Sequence, residues 1–95
     1  MLKRIQENEE RLDKIISVVK ELENALNNFE DIQNIIKELE LYYGSENWFK
    51  DKDAHDKGEI KNIKAGVLSE DAVWNTLTDI REIYERMYEI SKWGT

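Results

Sequence analysis

The chain has no cysteine and no proline, only one histidine, and four glycines in 95 residues. Without cysteine there is no disulfide framework, no thiolate metal site and no cysteine nucleophile. Three of the glycines (Gly44, Gly58 and Gly66) fall between residues 44 and 66, so the helix breakers are confined to the middle of the chain. No apolar run approaches the roughly 18 residues that a membrane span needs. The opening MLKRIQENEERLD has no apolar stretch after its basic residues, so no secretory signal is expected and the cytoplasm is the expected compartment.

What the chain does have is charge and an apolar pattern. Charged residues make up 37% and apolar residues 40%, the balance of a soluble, ordered protein, and the length suits a single helical domain over residues 1–95. The net charge is −7, unevenly spread. Residues 1–43 hold six Lys/Arg against ten Asp/Glu, residues 44–68 five of each, and residues 69–95 three against six. Nothing forms a basic stripe, which argues against direct nucleic-acid binding.

Residues 1–43 read as a long helical arm. Steps of 4 and 3 give Met1, Ile5, Asn8, Leu12, Ile15, Val19, Leu22, Leu26 and Phe29, all apolar except Asn8, with Ile16 and Val18 widening the stripe. This is the a/d pattern of a helix packed along another helix. After Phe29 the apolar set shifts to Ile32, Ile36, Leu39 and Tyr43, equivalent to a three-residue insertion. With no Gly or Pro there, one continuous helix of roughly 60 Å is the favoured expectation. The competing expectation ends the first helix at Asn27 and restarts it with Asn28 as cap. Asn8 sits on the seam, where an amide either sets register or is solvated near the frayed end.

The clearest helix start is Leu68-Ser69-Glu70-Asp71, with Ser69 as N-cap, two acids in the first turn, and Leu68 and Val73 at the hydrophobic-staple positions. From there Val73, Leu77, Ile80, Tyr84 and Met87 repeat the helical spacing, so residues 69–92 form a C-terminal helix of roughly 35 Å. The expected fold is therefore all-α: a long N-terminal and a C-terminal helix packed as an antiparallel, coiled-coil-like hairpin. The alternative, if residues 1–43 are two helices, is a compact three-helix bundle. A structureless connector over 44–68 would be unusual. Ser45 before Glu46-Asn47-Trp48-Phe49 predicts a capped short helix, and Ile60, Ile63 and Val67 a further turn. Tyr42, Tyr43, Trp48, Phe49 and Trp74 should gather at one end of the hairpin as a small locking core.

Catalytic chemistry finds little support. Asp51, Asp53 and His55 match the first, third and fifth positions of a calcium-loop spacing, but Asp56 and Asn62 stand where Gly and Glu belong. Asp51, Asp53 and Asp56 are thus weak metal candidates in what reads as a solvated acidic turn. His55 reads as an exposed loop residue rather than a base. There is no nucleophile elbow and no glycine-rich loop before a helix. No catalytic residue, cofactor or small-molecule substrate is expected, and the chain does not read as an enzyme.

Tyr42-Tyr43-Gly44-Ser45-x-x-Trp48, followed by Ala65-Gly66-Val67-Leu68-Ser69-Glu70-Asp71-Ala72, resembles the signature of a small bacterial family of domains of unknown function. The resemblance spans nearly the whole chain and implies a short, acidic, helical protein of a kind found mostly in Firmicutes. Members often carry a proline after the connector's second glycine, where this chain has Glu59-Ile60-Lys61-Asn62. The family brings no activity or catalytic residue with it.

The leading functional expectation is a non-enzymatic helical module that binds another protein or itself as a homodimer. The long arm carries more apolar stripe than the short one covers, with Ile32, Ile36, Leu39, Tyr43, Trp48, Phe49 and Trp74 as the interaction candidates. The alternative is an acidic inhibitor that occupies a nucleic-acid-binding protein, suggested by the −7 charge.

Overall fold

The computed structural model describes residues 1–94, and these hold four α-helices and no strand. They are α1 (Leu2–Asp31), α2 (Gln33–Tyr42), α3 (Glu46–Asp56) and α4 (Glu70–Ser91), with a single 3₁₀ turn at Gly66–Leu68 ahead of α4. A long N-terminal and a long C-terminal helix therefore flank a partly helical connector. The chain groups into two compact units, Met1–Lys37 and a second from Glu38 onward, so the boundary falls within α2.

The first unit is built on α1, 30 residues long, or about 45 Å at the α-helical rise. Its seam Asn8 donates to the Arg4 carbonyl (2.8 Å) and accepts from the Arg11 guanidinium (3.1 Å), so the amide is satisfied on its own helix. The favoured expectation of one unbroken helix to residue 43 needs correction, because helical geometry lapses for one residue at Ile32 (φ −95°, ψ 5°). Nor does a new helix begin at Asn28, which lies inside α1. The lapse follows the change of apolar phase after Phe29. The interruption stays short because its loose ends are tied. Gln33 Nε2 donates to the Phe29 carbonyl (3.0 Å), and α-type bonding resumes with Ile36 N–H donating to Ile32 O at 2.9 Å.

The second unit carries the core. Tyr42 ends α2 because Gly44 adopts φ +77°, a left-handed conformation that costs a side chain dearly, and Ser45 N–H donates back to Tyr42 O (3.0 Å). Ser45 then caps α3, its hydroxyl accepting from Trp48 N–H (3.2 Å). At the far end, Gly58 (φ +76°) closes α3 with paired bonds from Gly58 N–H to His55 O and from Glu59 N–H to Ala54 O, both 3.0 Å. This six-to-one, five-to-two pair is a Schellman stop. Residues 59–65 run without helix, and Ile63, expected in a docking turn, is exposed. Ser69 caps α4 by accepting from Ala72 N–H (3.3 Å), and the staple residues Leu68 and Val73 on either side are both buried. Trp48, Leu68 and Val73 form the buried core of this unit, half-buried Leu39, Tyr43, Leu77 and Ile80 widen it, and each fully buried apolar side chain contributes about 1.5–3 kcal/mol.

Ser69→Ala should therefore lower stability by about 1 kcal/mol, the usual worth of a capping hydroxyl. In urea unfolding the midpoint should fall with the slope unchanged; an unmoved midpoint would show that α4 is held by its packing alone.

Candidate functional site

Two surfaces merit attention: the aromatic lock of the second unit and the apolar stripe of α1. The lock is assembled by the turn at Gly44. That turn brings Tyr43, at the end of α2, against Trp48 in the first turn of α3, with ring centroids 5.2 Å apart at 73°. Trp48 also meets Phe49 edge-on at 5.0 Å and 79°. Such edge-to-face pairs add about 0.5–1.5 kcal/mol beyond area burial. Trp48 is only 2% exposed, and its indole N–H donates to the Val67 carbonyl at 2.9 Å. Tyr43 Oη donates to the Glu70 carbonyl at 3.2 Å, tying the end of α2 to the start of α4.

The interaction candidates thus divide. Trp48 and Ile36 are buried, Leu39 and Tyr43 half-buried, while Ile32, Phe49 and Trp74 are exposed. Trp74, at 58% exposure, stands clear of the aromatic lock it was expected to join. It is one position past the buried Val73 and so points to another side of α4. Beside the lock, Leu39, Val67, Ala72 and Val73 line an apolar groove of about 360 Å³, with Lys64 and Thr76 as its polar margin. It offers no convergent set of polar groups to orient a ligand.

The acidic run is helical, not a turn. Asp51, Asp53 and Asp56 all lie on α3, which separates Asp51 from the other two by roughly 140–160° around the axis. Each carboxylate has its own partner: Tyr42 Oη donates to Asp51 (2.6 Å), Lys57 pairs with Asp53 (2.8 Å) and Lys52 with Asp56 (3.5 Å). Among the described residues no three His, Asp or Glu groups converge as metal ligands. His55, beside Asp56 at 3.9 Å, is exposed on the same helix, which stops at Gly58.

The α1 stripe is a different kind of surface. From Ile5 to Leu22 its apolar side chains remain 47–59% exposed, and α1 buries no residue at all. A second exposed apolar run occupies the last turns of α4, where Ile83, Met87, Tyr88 and Ile90 face out. Neither α1 nor any other helix among the described residues is long and apolar enough to cross a membrane. Residues 5–90, taking in both apolar runs and the aromatic lock, match the family described as a domain of unknown function, DUF4298. The chain belongs to that family. No curated protein and no solved structure matches it.

Within this DUF4298 domain the Lys57 ammonium, bonded to Asp53, and the Tyr42 phenol both hold their protons more tightly than usual. The hydrogen bond to Asp51, partial burial and the adjacent negative charge raise the Tyr42 phenol above its ordinary value of 10.0. The folded state therefore holds this proton more tightly than the unfolded chain. That stabilisation is complete below pH 10 and is lost as pH rises through the raised value. Asp51→Asn should cost about 1 kcal/mol at neutral pH, the typical worth of one such bond. Urea unfolding at stepped pH should show a constant gap between wild type and variant up to about pH 10, closing above it. A gap that widened with pH would contradict the bond.

Proposed function

We propose that this DUF4298 domain is a non-enzymatic, cytoplasmic helix-pairing module whose working surface is the apolar stripe of α1. The observation that carries the reading is the continuous half-exposure of a/d positions from Ile5 to Leu22 on a helix with no buried residue. Apolar residues scattered singly over a surface need no explanation, whereas a contiguous stripe at helical spacing is the form in which one helix recognises another. The lock around Trp48 has a different part: it gives the second unit a core of its own. The sparse polar lining of the groove beside it supports a binding protein over an enzyme.

The test is site-specific photocrosslinking in cells that express the full chain. A photoreactive residue replacing Ile15, on the stripe, should give protein adducts, while one replacing Glu10, on the opposite face of α1, should give few or none. Adducts from Glu10 alone, or none from Ile15, would overturn the reading.

A further inference from the structure

The pattern of charge beside the α1 stripe says more about the occupant. Taking Ile5, Leu12, Val19 and Leu26 as a positions, the flanking g positions include Arg4 and Arg11, and the e positions Glu9, Glu23 and Glu30. Every charged g residue is basic and every charged e residue acidic. In an antiparallel pair of identical helices, e lies beside e and g beside g. No antiparallel register of α1 with itself can then form a flanking Arg–Glu pair, and the register that uses the stripe from Ile5 to Phe29 sets Glu9 against Glu23. In a parallel pair, g reaches the e position five residues ahead on the other chain. Arg4 then meets the partner's Glu9, twice by symmetry.

We propose that the occupant of the stripe is a second copy of this chain, with the two α1 helices parallel and in register. This rests on the helix-pairing reading above and names its partner. Asn8 selects the register. At a d position it faces the partner's Asn8 only when the helices are aligned, whereas a one-heptad slip sets it against an apolar residue with its amide unmatched. In the single chain the Asn8 amide is occupied by Arg4 O and Arg11 instead. In the middle of the helix Ile16 at e and Val18 at g extend the apolar seam, and the stem of Arg11 lies over the partner's Ile16.

The area is sufficient. At roughly 80 Å² of apolar surface for each of the seven exposed stripe residues from Ile5 to Leu22 and for Met1 ahead of them, two copies bury on the order of 1,300 Å², within the range of about 1,200–2,000 Å² for specific interfaces. The remaining acids of α1, such as Glu10 and Glu21, lie on its outer positions. Across a paired coil they are separated by more than the Debye length of about 8 Å at physiological salt, so their mutual repulsion is screened.

Light scattering of the full chain over a range of concentrations should give twice the chain mass. Arg4→Glu and Glu9→Arg should each weaken dimerisation about tenfold, because two flanking pairs turn repulsive. The double variant should restore it, since the swapped charges pair again across a parallel dimer. As the chain has no cysteine, Asn8→Cys introduces a single thiol, and mild oxidation should link two chains through it. A dimer with neither charge-swap rescue nor a cysteine-8 link would overturn the parallel, in-register arrangement. A monomer at every concentration would overturn the second-copy occupant. In that case adducts from Ile15 to a different protein would leave the helix-pairing reading intact, and the absence of any adduct would remove both.

Discussion

The indole of Trp48 holds the second unit together. Its N–H donates to Val67 O, so α3 is fastened to the 3₁₀ turn that leads into α4, and Trp48 itself is buried. An unmatched buried N–H or carbonyl would cost more than the bond itself contributes, which makes this contact specific as well as favourable. Tyr43 reinforces it twice, by packing edge-on against Trp48 and by donating to Glu70 O. The other local features serve this arrangement. Gly44 turns the chain, Ser45 starts α3, Gly58 ends it, and Ser69 starts α4 once Leu68 is buried.

The two units differ in how their helices are stabilised. The second has buried side chains and hydrogen bonds between elements far apart in sequence, whereas α1 buries no residue. An isolated helix of 30 residues depends on local propensity and i,i+4 pairs, which are weak in water, while most helical stability in proteins comes from packing an apolar face. An uncovered a/d stripe of this length is therefore surface that favours a cover. The same heptad frame sorts the flanking charges by sign, and that sorting distinguishes orientations of pairing in a way that the apolar positions alone do not.

Much of the fold was legible residue by residue. Ser45 and Ser69 announced the starts of α3 and α4 because an N-cap depends on a side chain and amides three residues away, a relation contained in the sequence itself. The all-helical class followed from long breaker-free periodicity. Less legible was the junction after Phe29. The shift of phase was visible, but an unbroken helix, a break at Asn28 and a one-residue lapse at Ile32 all satisfy the same pattern, and the backbone at Ile32 distinguishes them. The acidic run from Asp51 looked like a turn because its spacing imitates a cation loop. Ser45 and Gly58, as the two ends of one helix, gave the same residues another geometry.

For the candidate surfaces the division is sharper. The sequence by itself determined which residues share a helix face, since 3.6 residues per turn places Ile5 through Leu22 on one stripe and sorts Arg4 from Glu9 across it. It could not determine which apolar faces would be covered. Ile36 and Trp48 read no differently from Ile15 or Trp74, yet the first two are buried and the others exposed. Burial depends on what lies opposite a side chain in space. The partners that bury Trp48 lie as far along the chain as Val67, a separation that no local period encodes, and only the tertiary structure brings them together.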